Sequence, residues 1–266
     1  MKNIIFTISS LITVYCFSQD NLFNSIDRNE KEYMNLYFEA ERNKVLEDYI
    51  NALELYEKCI KINPNEPSAY NEIAKIHFFL NDWENSEDYI KMAISLDPTN
   101  KWYYFLLLDI YSINSNISNK LDVYESLLDL DPENLNYILA KIQILTDLKE
   151  YKKTLKYIKN TKKTFGDVKE LLKREVDIYI LQDNFKLSEQ KALQLIEKFP
   201  NLEESYEVLT SVYLYFSQYD DAISIYQDLL NINPDNSQAL VALYKIYSNK
   251  NDIREKQNYL LKIVEN

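Results

Sequence analysis

The sequence predicts an all-α solenoid assembled from seven copies of one helical hairpin, and three observations carry that reading. The 266 residues include one Gly and six Pro, too few turn-formers for strand hairpins or nucleotide-binding loops. The prolines stand at 64, 67, 98, 132, 200 and 234, so five of the six fall on a 34-residue lattice, and the vacant point at 166 is the only glycine. Between these stops, apolar residues recur at spacings of three and four, as one buried helical face requires. Pro stops a helix by lacking an N–H and by restricting the residue before it, Gly by tolerating left-handed dihedrals. A stop delivered at a fixed interval marks an internal repeat.

Residues 1–18 differ from everything after them. Lys2 precedes an uncharged, largely apolar run from Ile4 to Phe17, and Cys16 and Ser18 supply small residues at −3 and −1 of a cleavage site after Ser18. The expectation is a secretory signal peptide and a periplasmic or secreted protein. An uncleaved anchor is the alternative, although fourteen residues fall short of the ~20 that span a bilayer. Lipidation of Cys16 is a further alternative, weakened by Tyr15 where a small residue belongs. Membrane association is therefore expected only through partners, or through such an anchor or lipid. Without residues 1–18 the chain carries 29 basic and 42 acidic residues, a net charge of −13 that argues against nucleic acid as a partner. One cysteine, Cys59, then remains, so no intrachain disulfide can form.

After a lead segment, 19–32, the period divides the chain into units 33–66, 67–100, 101–134, 135–168, 169–202, 203–236 and 237–266. With Tyr33 as place 1, place 17 reads Tyr49, Trp83, Ile117, Tyr151, Phe185, Tyr219 and Ile253, all large and apolar. Place 20 reads Ala52, Ser86, Lys120, Thr154, Ser188, Ala222 and Lys256, mostly small, as close approach of two helices demands. Apolar places 17, 20, 24, 27 and 28 make the second half of each unit one amphipathic helix. Places 4, 7, 8 and 11, which in unit 6 are Tyr206, Leu209, Thr210 and Tyr213, make the first half another. Short polar runs such as "LND" and "FSQ" connect them.

This 34-residue pattern, with small residues at 8 and 20, aromatics at 11, 17 and 24 and Pro at 32, resembles the tetratricopeptide repeat over residues 33–266. Unit 6, with Tyr206, Leu209, Tyr213, Tyr219, Ala222, Tyr226 and Pro234, matches best. Lys120, Lys256, Thr161 and Gly166 depart from the pattern, and unit 4 is the most divergent. The resemblance implies a right-handed superhelix of seven antiparallel helix pairs, first helices lining a concave groove that grips another protein as a peptide or helix. It places groove side chains at 2, 5, 9, 12 and 13 of the first helices: Tyr37, Asn71, Phe78, Phe79, Trp102 and Phe105, and more sparsely Ile180, Leu181, Leu214 and Tyr215. Two readings stand for these. They anchor an apolar partner, or they pack against the neighbouring hairpin or beneath residues 19–32. The carboxylate-holding Lys and Asn of chaperone-binding relatives have no counterpart, because Glu41 and Glu72 occupy their places.

Lys149, Lys152, Lys153, Lys156, Lys159 and Lys163 belong to a stretch with ten basic and three acidic residues between Lys149 and Arg174. It is either a solvated outer helix face or a docking patch for an acidic partner or another copy of the chain. His77, alone of its kind, sits at core place 11 and reads as a packed histidine, and Cys59 as a buried small hydrophobe. With one His and no glycine-rich loop, no metal, cofactor or catalytic residue is expected. The function that follows is a non-catalytic protein-interaction scaffold of the bacterial cell envelope. The alternatives are a structural subunit of an envelope assembly or export complex and, on the thin ground of Asp109 near Trp102 and Phe105, a glycan-binding or enzymatic repeat protein.

Overall fold

The computed structural model describes residues 28–265. The expected signal segment, its cleavage site after Ser18 and Cys16 lie outside them. Among the described residues there are fourteen helices and no strand, and no helix is long and apolar enough to cross a membrane.

The chain divides on either side of Pro132 into two compact units. The first holds three hairpins: α1 (Arg28–Val45) with α2 (Tyr49–Ile62), α3 (Pro67–Phe79) with α4 (Trp83–Leu96), and α5 (Lys101–Ile113) with α6 (Ile117–Leu130). The second holds four: α7 (Leu135–Asp147) with α8 (Tyr151–Phe165), α9 (Lys169–Leu181) with α10 (Phe185–Lys198), α11 (Glu203–Tyr215) with α12 (Tyr219–Ile232), and α13 (Ser237–Asn249) with α14 (Ile253–Glu265). Helix α1 begins at Arg28, inside the segment expected to lead into the repeats. Within each unit the first helices of successive hairpins touch, α3 with α5, α7 with α9 and α9 with α11.

Local chemistry sets the helix starts. Asp48, Asp82, Asn116 and Asn184, all at place 16, accept a hydrogen bond from the backbone N–H three residues on and cap α2, α4, α6 and α10. Glu66 caps α3, whose first residue is Pro67, a position where the missing N–H costs nothing. The lattice prolines have a second task. The hydroxyls of Tyr70, Tyr104 and Tyr206 donate to the carbonyls of Pro64, Pro98 and Pro200, each six residues upstream, and tie the stop to the next first helix.

Each hairpin turn is made without glycine. Glu47, Asn81, Ser115, Lys149, Asp183, Ser217 and Asn251 all have φ between 52° and 62°. They recur every 34 residues, at place 15. In the first turn the Glu47 N–H donates to the Lys44 carbonyl (3.0 Å) and the Asp48 N–H to the Asn43 carbonyl (2.9 Å), and all seven turns repeat this Schellman pairing. Gly166 is different: at φ 72° and ψ −162° it caps α8 in a region that glycine alone adopts readily.

The cores follow the repeat. Place 10 holds Ile76, Ile110, Ile144, Ile178, Val212 and Ile246, all buried, whereas in the first hairpin it is exposed Arg42. Place 20 is buried wherever it is small, and there the Ser86 hydroxyl donates to the Ala74 carbonyl at 2.8 Å. Lys120 is only half-buried at this place, and α6 buries just Val123 and Leu127. Lys256 is accommodated by laying its ammonium over the Tyr244 ring, 5.6 Å from the centroid. Cys59 is buried, its thiol donates to the Tyr33 carbonyl at 3.7 Å, and burial pushes its pKa up to about 11. His77 is half-buried, stacked on Tyr89 with its Nδ1 3.0 Å from Asp82.

Candidate protein-binding surfaces

In the first unit, the aromatic residues singled out from the sequence separate into two sets. Tyr37 stacks on Tyr33 and meets Tyr56 edge-on at 5.5 Å, packed against the core of α1, α2 and α3. Phe78 is half-buried edge-on to Trp83 at 5.1 Å, within its own hairpin. These two serve packing. Phe79, 65% exposed, leans on Tyr49 at 5.2 Å, and Trp102, 76% exposed, meets Phe105 edge-on at 5.6 Å. A ring held by a neighbour while most of its surface faces water has less side-chain freedom to lose on meeting a partner than a free one.

Beside them lies an ionic network that the sequence did not disclose. Lys44 Nζ reaches Glu72 at 2.6 Å and Glu41 at 2.8 Å, Lys75 reaches Glu72 at 2.7 Å, and the Tyr56 hydroxyl donates to Glu41. Asn71 donates to Glu72 at 3.0 Å. Burial, the largest influence on Glu72, raises its pKa, and the Lys44 and Lys75 ammonium groups together outweigh it, so the carboxyl sits below the usual range.

In the second unit, Ile180 and Leu214 are half-buried against the core and Tyr215 stays 57% exposed, edge-on to Phe216 at 5.0 Å. Leu214 also forms the wall of a cavity of about 570 Å³ between α11 and α13. Val241, Ala242 and Ile246 complete its apolar lining, and Tyr219, Gln238, Lys245 and Asn249 give it a polar rim. In unit 7, places 2, 5, 9 and 13 are Gln238, Val241, Lys245 and Asn249, none of them among the residues singled out from the sequence. A second, polar cavity of about 340 Å³ lies along α7, α9 and α11, where Lys169 and Lys173 bind Glu204 at 2.9 and 2.5 Å and Arg174 donates to Gln143 at 2.7 Å. Lys173, then Lys169, hold the Glu204 carboxyl below its usual range.

The basic stretch resolves in the same way. Lys162 pairs with Glu175 and Asp167, and Lys153 with Glu150. Lys152, Lys156, Lys159 and Lys163 form one exposed row on α8, and Lys149 sits in the turn before it. Among the described residues, Lys149, Lys152, Lys156 and Lys159 have no acidic group within ion-pair distance, and Lys163 reaches only Asn160, at 3.0 Å. Like charges at such spacings cost a helix ~0.2–0.5 kcal/mol each. The first turn of α8 adds lysines at the positive end of the helix dipole and lacks a side-chain cap.

Two tetratricopeptide-repeat profiles match the sequence, one over residues 46–66 and 67–100 and the other over residues 205–240. Each unit thus holds a segment that matches a tetratricopeptide-repeat profile. Solved structures share the fold. The C-terminal part of a tetratricopeptide-repeat protein from Cytophaga hutchinsonii superposes with a TM-score of 0.56 at 14% identity, over 86% of this chain and 94% of that one. A tetratricopeptide-repeat protein from Parabacteroides merdae gives 0.51 at 14% identity, over 88% and 93%. PilW, a type IV pilus biogenesis factor, gives 0.50 at 14% identity, over 75% and 93%. A search of curated proteins returns no match. Identities this low establish the fold and nothing finer. Proteins of this fold are typically protein–protein interaction scaffolds, and here Phe79, Trp102 and Phe105 and most of the lining of the apolar cavity lie on first helices of their hairpins.

Proposed function

We propose that the chain is a non-catalytic scaffold that binds a peptide or a partner protein along the first helices of its repeats, and that it works in the bacterial cell envelope. The observation that carries the binding is the cavity between α11 and α13. Its volume of about 570 Å³ admits a large side chain, and its floor of Leu214, Val241, Ala242 and Ile246 rewards an apolar one. Gln238, Lys245 and Asn249 at the rim supply the polar contacts that orient a backbone. Trp102 with Phe105, and Phe79, offer anchors of the same chemistry in the first unit. The envelope assignment rests on the charge and apolar pattern of residues 1–18.

Selection of binders from a random peptide library tests the site. Enriched peptides should share a large apolar residue and should lose about tenfold or more in affinity for Val241→Asp. Peptides indifferent to Val241→Asp would place the binding elsewhere. N-terminal sequencing of the protein from a periplasmic fraction should begin at Gln19, and an intact Met1 on cytosolic protein would refute the envelope assignment.

A further inference from the structure

We propose that the lysine row of α8 docks on the acidic outer face of α6 in a second copy of the chain. The row occupies places 18, 22, 25 and 29 of its repeat, as Lys152, Lys156, Lys159 and Lys163, all exposed. The same places on α6 hold Ser118, Asp122, Glu125 and Asp129, also all exposed. Each row runs ~16 Å along its helix. The spacing of zero, four, seven and eleven residues reads the same in both directions, so the rows match whether the two helices lie parallel or antiparallel. Either way three lysines face three carboxylates, and Asp122 and Asp129 alone suffice for two of the pairs.

Several observations favour this occupant. The lysines at 152, 156 and 159 have no acidic partner among the described residues, their mutual repulsion weakens α8 and Lys152 sits unfavourably in its first turn, so no contact among the described residues explains the row. On α2 and α4 the same places are mixed, Glu54 and Glu57 standing with Lys61 and Glu84 and Asp88 with Lys91, so the fully acidic row is that of α6. The chain thus carries both halves of a complementary contact. A bilayer is a poorer match, because α8 exposes no apolar side chain that could insert. The net charge of −12 repels a second copy at a distance, but within a Debye length of about 10 Å at 0.1 M salt the local rows dominate.

Sedimentation equilibrium of the purified protein at 50 and 500 mM NaCl tests the proposal. Association should be measurable at 50 mM and at least about tenfold weaker at 500 mM. The variant K152E/K156E/K159E should lose it at 50 mM, and adding D122K/E125K/D129K to that variant should restore it. All six positions are exposed, and far-UV circular dichroism checks that each variant folds. A protein that stays monomeric at 50 mM, an association indifferent to lysine reversal, or a folded double-reversed variant that fails to recover would each overturn the proposal. So would a monomer whose lysine row instead binds phosphatidylglycerol vesicles in co-sedimentation.

Discussion

The Tyr213 hydroxyl donates to Glu189 Oε1 across 2.9 Å, joining α11 to the second helix of the preceding hairpin, and Tyr111 makes the same bond to Glu87 in the first unit. In these two hairpin pairs, places 11 and 21 bring the hydroxyl of a buried ring to a carboxylate at the edge of the core. Losing a hydrogen bond to a charged group costs ~1.5–3 kcal/mol at such sites. Tyr213→Phe should therefore lower the stability seen in urea unfolding by about 1.5 to 3 kcal/mol.

The same bond sets an alkaline limit. Burial first, and then Glu189, push the Tyr213 hydroxyl up to about 12 from its ordinary 10. The folded state keeps this proton to higher pH than the unfolded chain does. The contribution is therefore whole below pH 10 and is lost as pH rises from 10 to about 12. Tyrosinate absorbance at 295 nm should show one fewer late-titrating ring in Tyr213→Phe, and Glu189→Gln should move that ring earlier.

At place 15 seven non-glycine residues hold left-handed dihedrals. Asn and Asp bear this conformation more easily than Glu, Ser or Lys. Glu47→Gly and Lys149→Gly should each raise stability by ~0.5–1 kcal/mol, and Asn81→Gly should change little, because its local strain is smaller while glycine loosens the unfolded chain. Thermal melts of the three variants side by side check the ranking.

Gly166 makes the opposite prediction. Apart from Gly166 itself and its two chain neighbours, no heavy atom lies within 4 Å of where a Cβ would stand, so Gly166→Ala meets no clash with the rest of the fold and its cost comes from the backbone. With ψ at −162° the conformation is outside the left-handed helical well that Asn tolerates. Gly166→Asn should consequently fare no better than Gly166→Ala, each losing ~1–3 kcal/mol. A clear advantage for Asn in denaturant midpoints would show that the turn relaxes into the left-handed well.

Trp102 and Phe78 should part company on substitution. Trp102→Ala removes a ring that is mostly in water and should change stability by no more than ~0.5 kcal/mol while weakening partner binding. Phe78→Ala opens the hairpin of α3 and α4 and should cost about 2 kcal/mol or more. Calorimetric unfolding and a binding assay on the same two variants separate the roles.

The helices were legible because their signals are periodic: Pro at 64, 98, 132, 200 and 234 and the aromatic and small residues of places 17 and 20 announce every hairpin. The turns were not. Place 15 carries no glycine, yet Glu47, Ser115 and Lys149 hold left-handed backbone there, because the Schellman hydrogen bonds and the packed helices on either side overrule residue preference. Which rings face water was half legible. Trp102 and Tyr215 are exposed, but whether Phe78 turned outward or toward Trp83 depended on tertiary packing that one sequence does not state. The Lys44–Glu72 pair joins residues 28 apart, a separation that helical spacing rules do not reach, and Val241 and Lys245 lay within reach of the same place rule applied one repeat further.

Arg42 occupies the place that Ile76, Ile110, Ile144, Ile178, Val212 and Ile246 fill in the other hairpins. A guanidinium there is harmless while it faces water, and inside a stack it would be a buried charge without a partner, at a cost of several kcal/mol. The seven hairpins are therefore not interchangeable modules. A gene reshuffled so that the first hairpin followed any other would encode the same helices and the same turns, but the array would come apart at the joint where Arg42 met a neighbour.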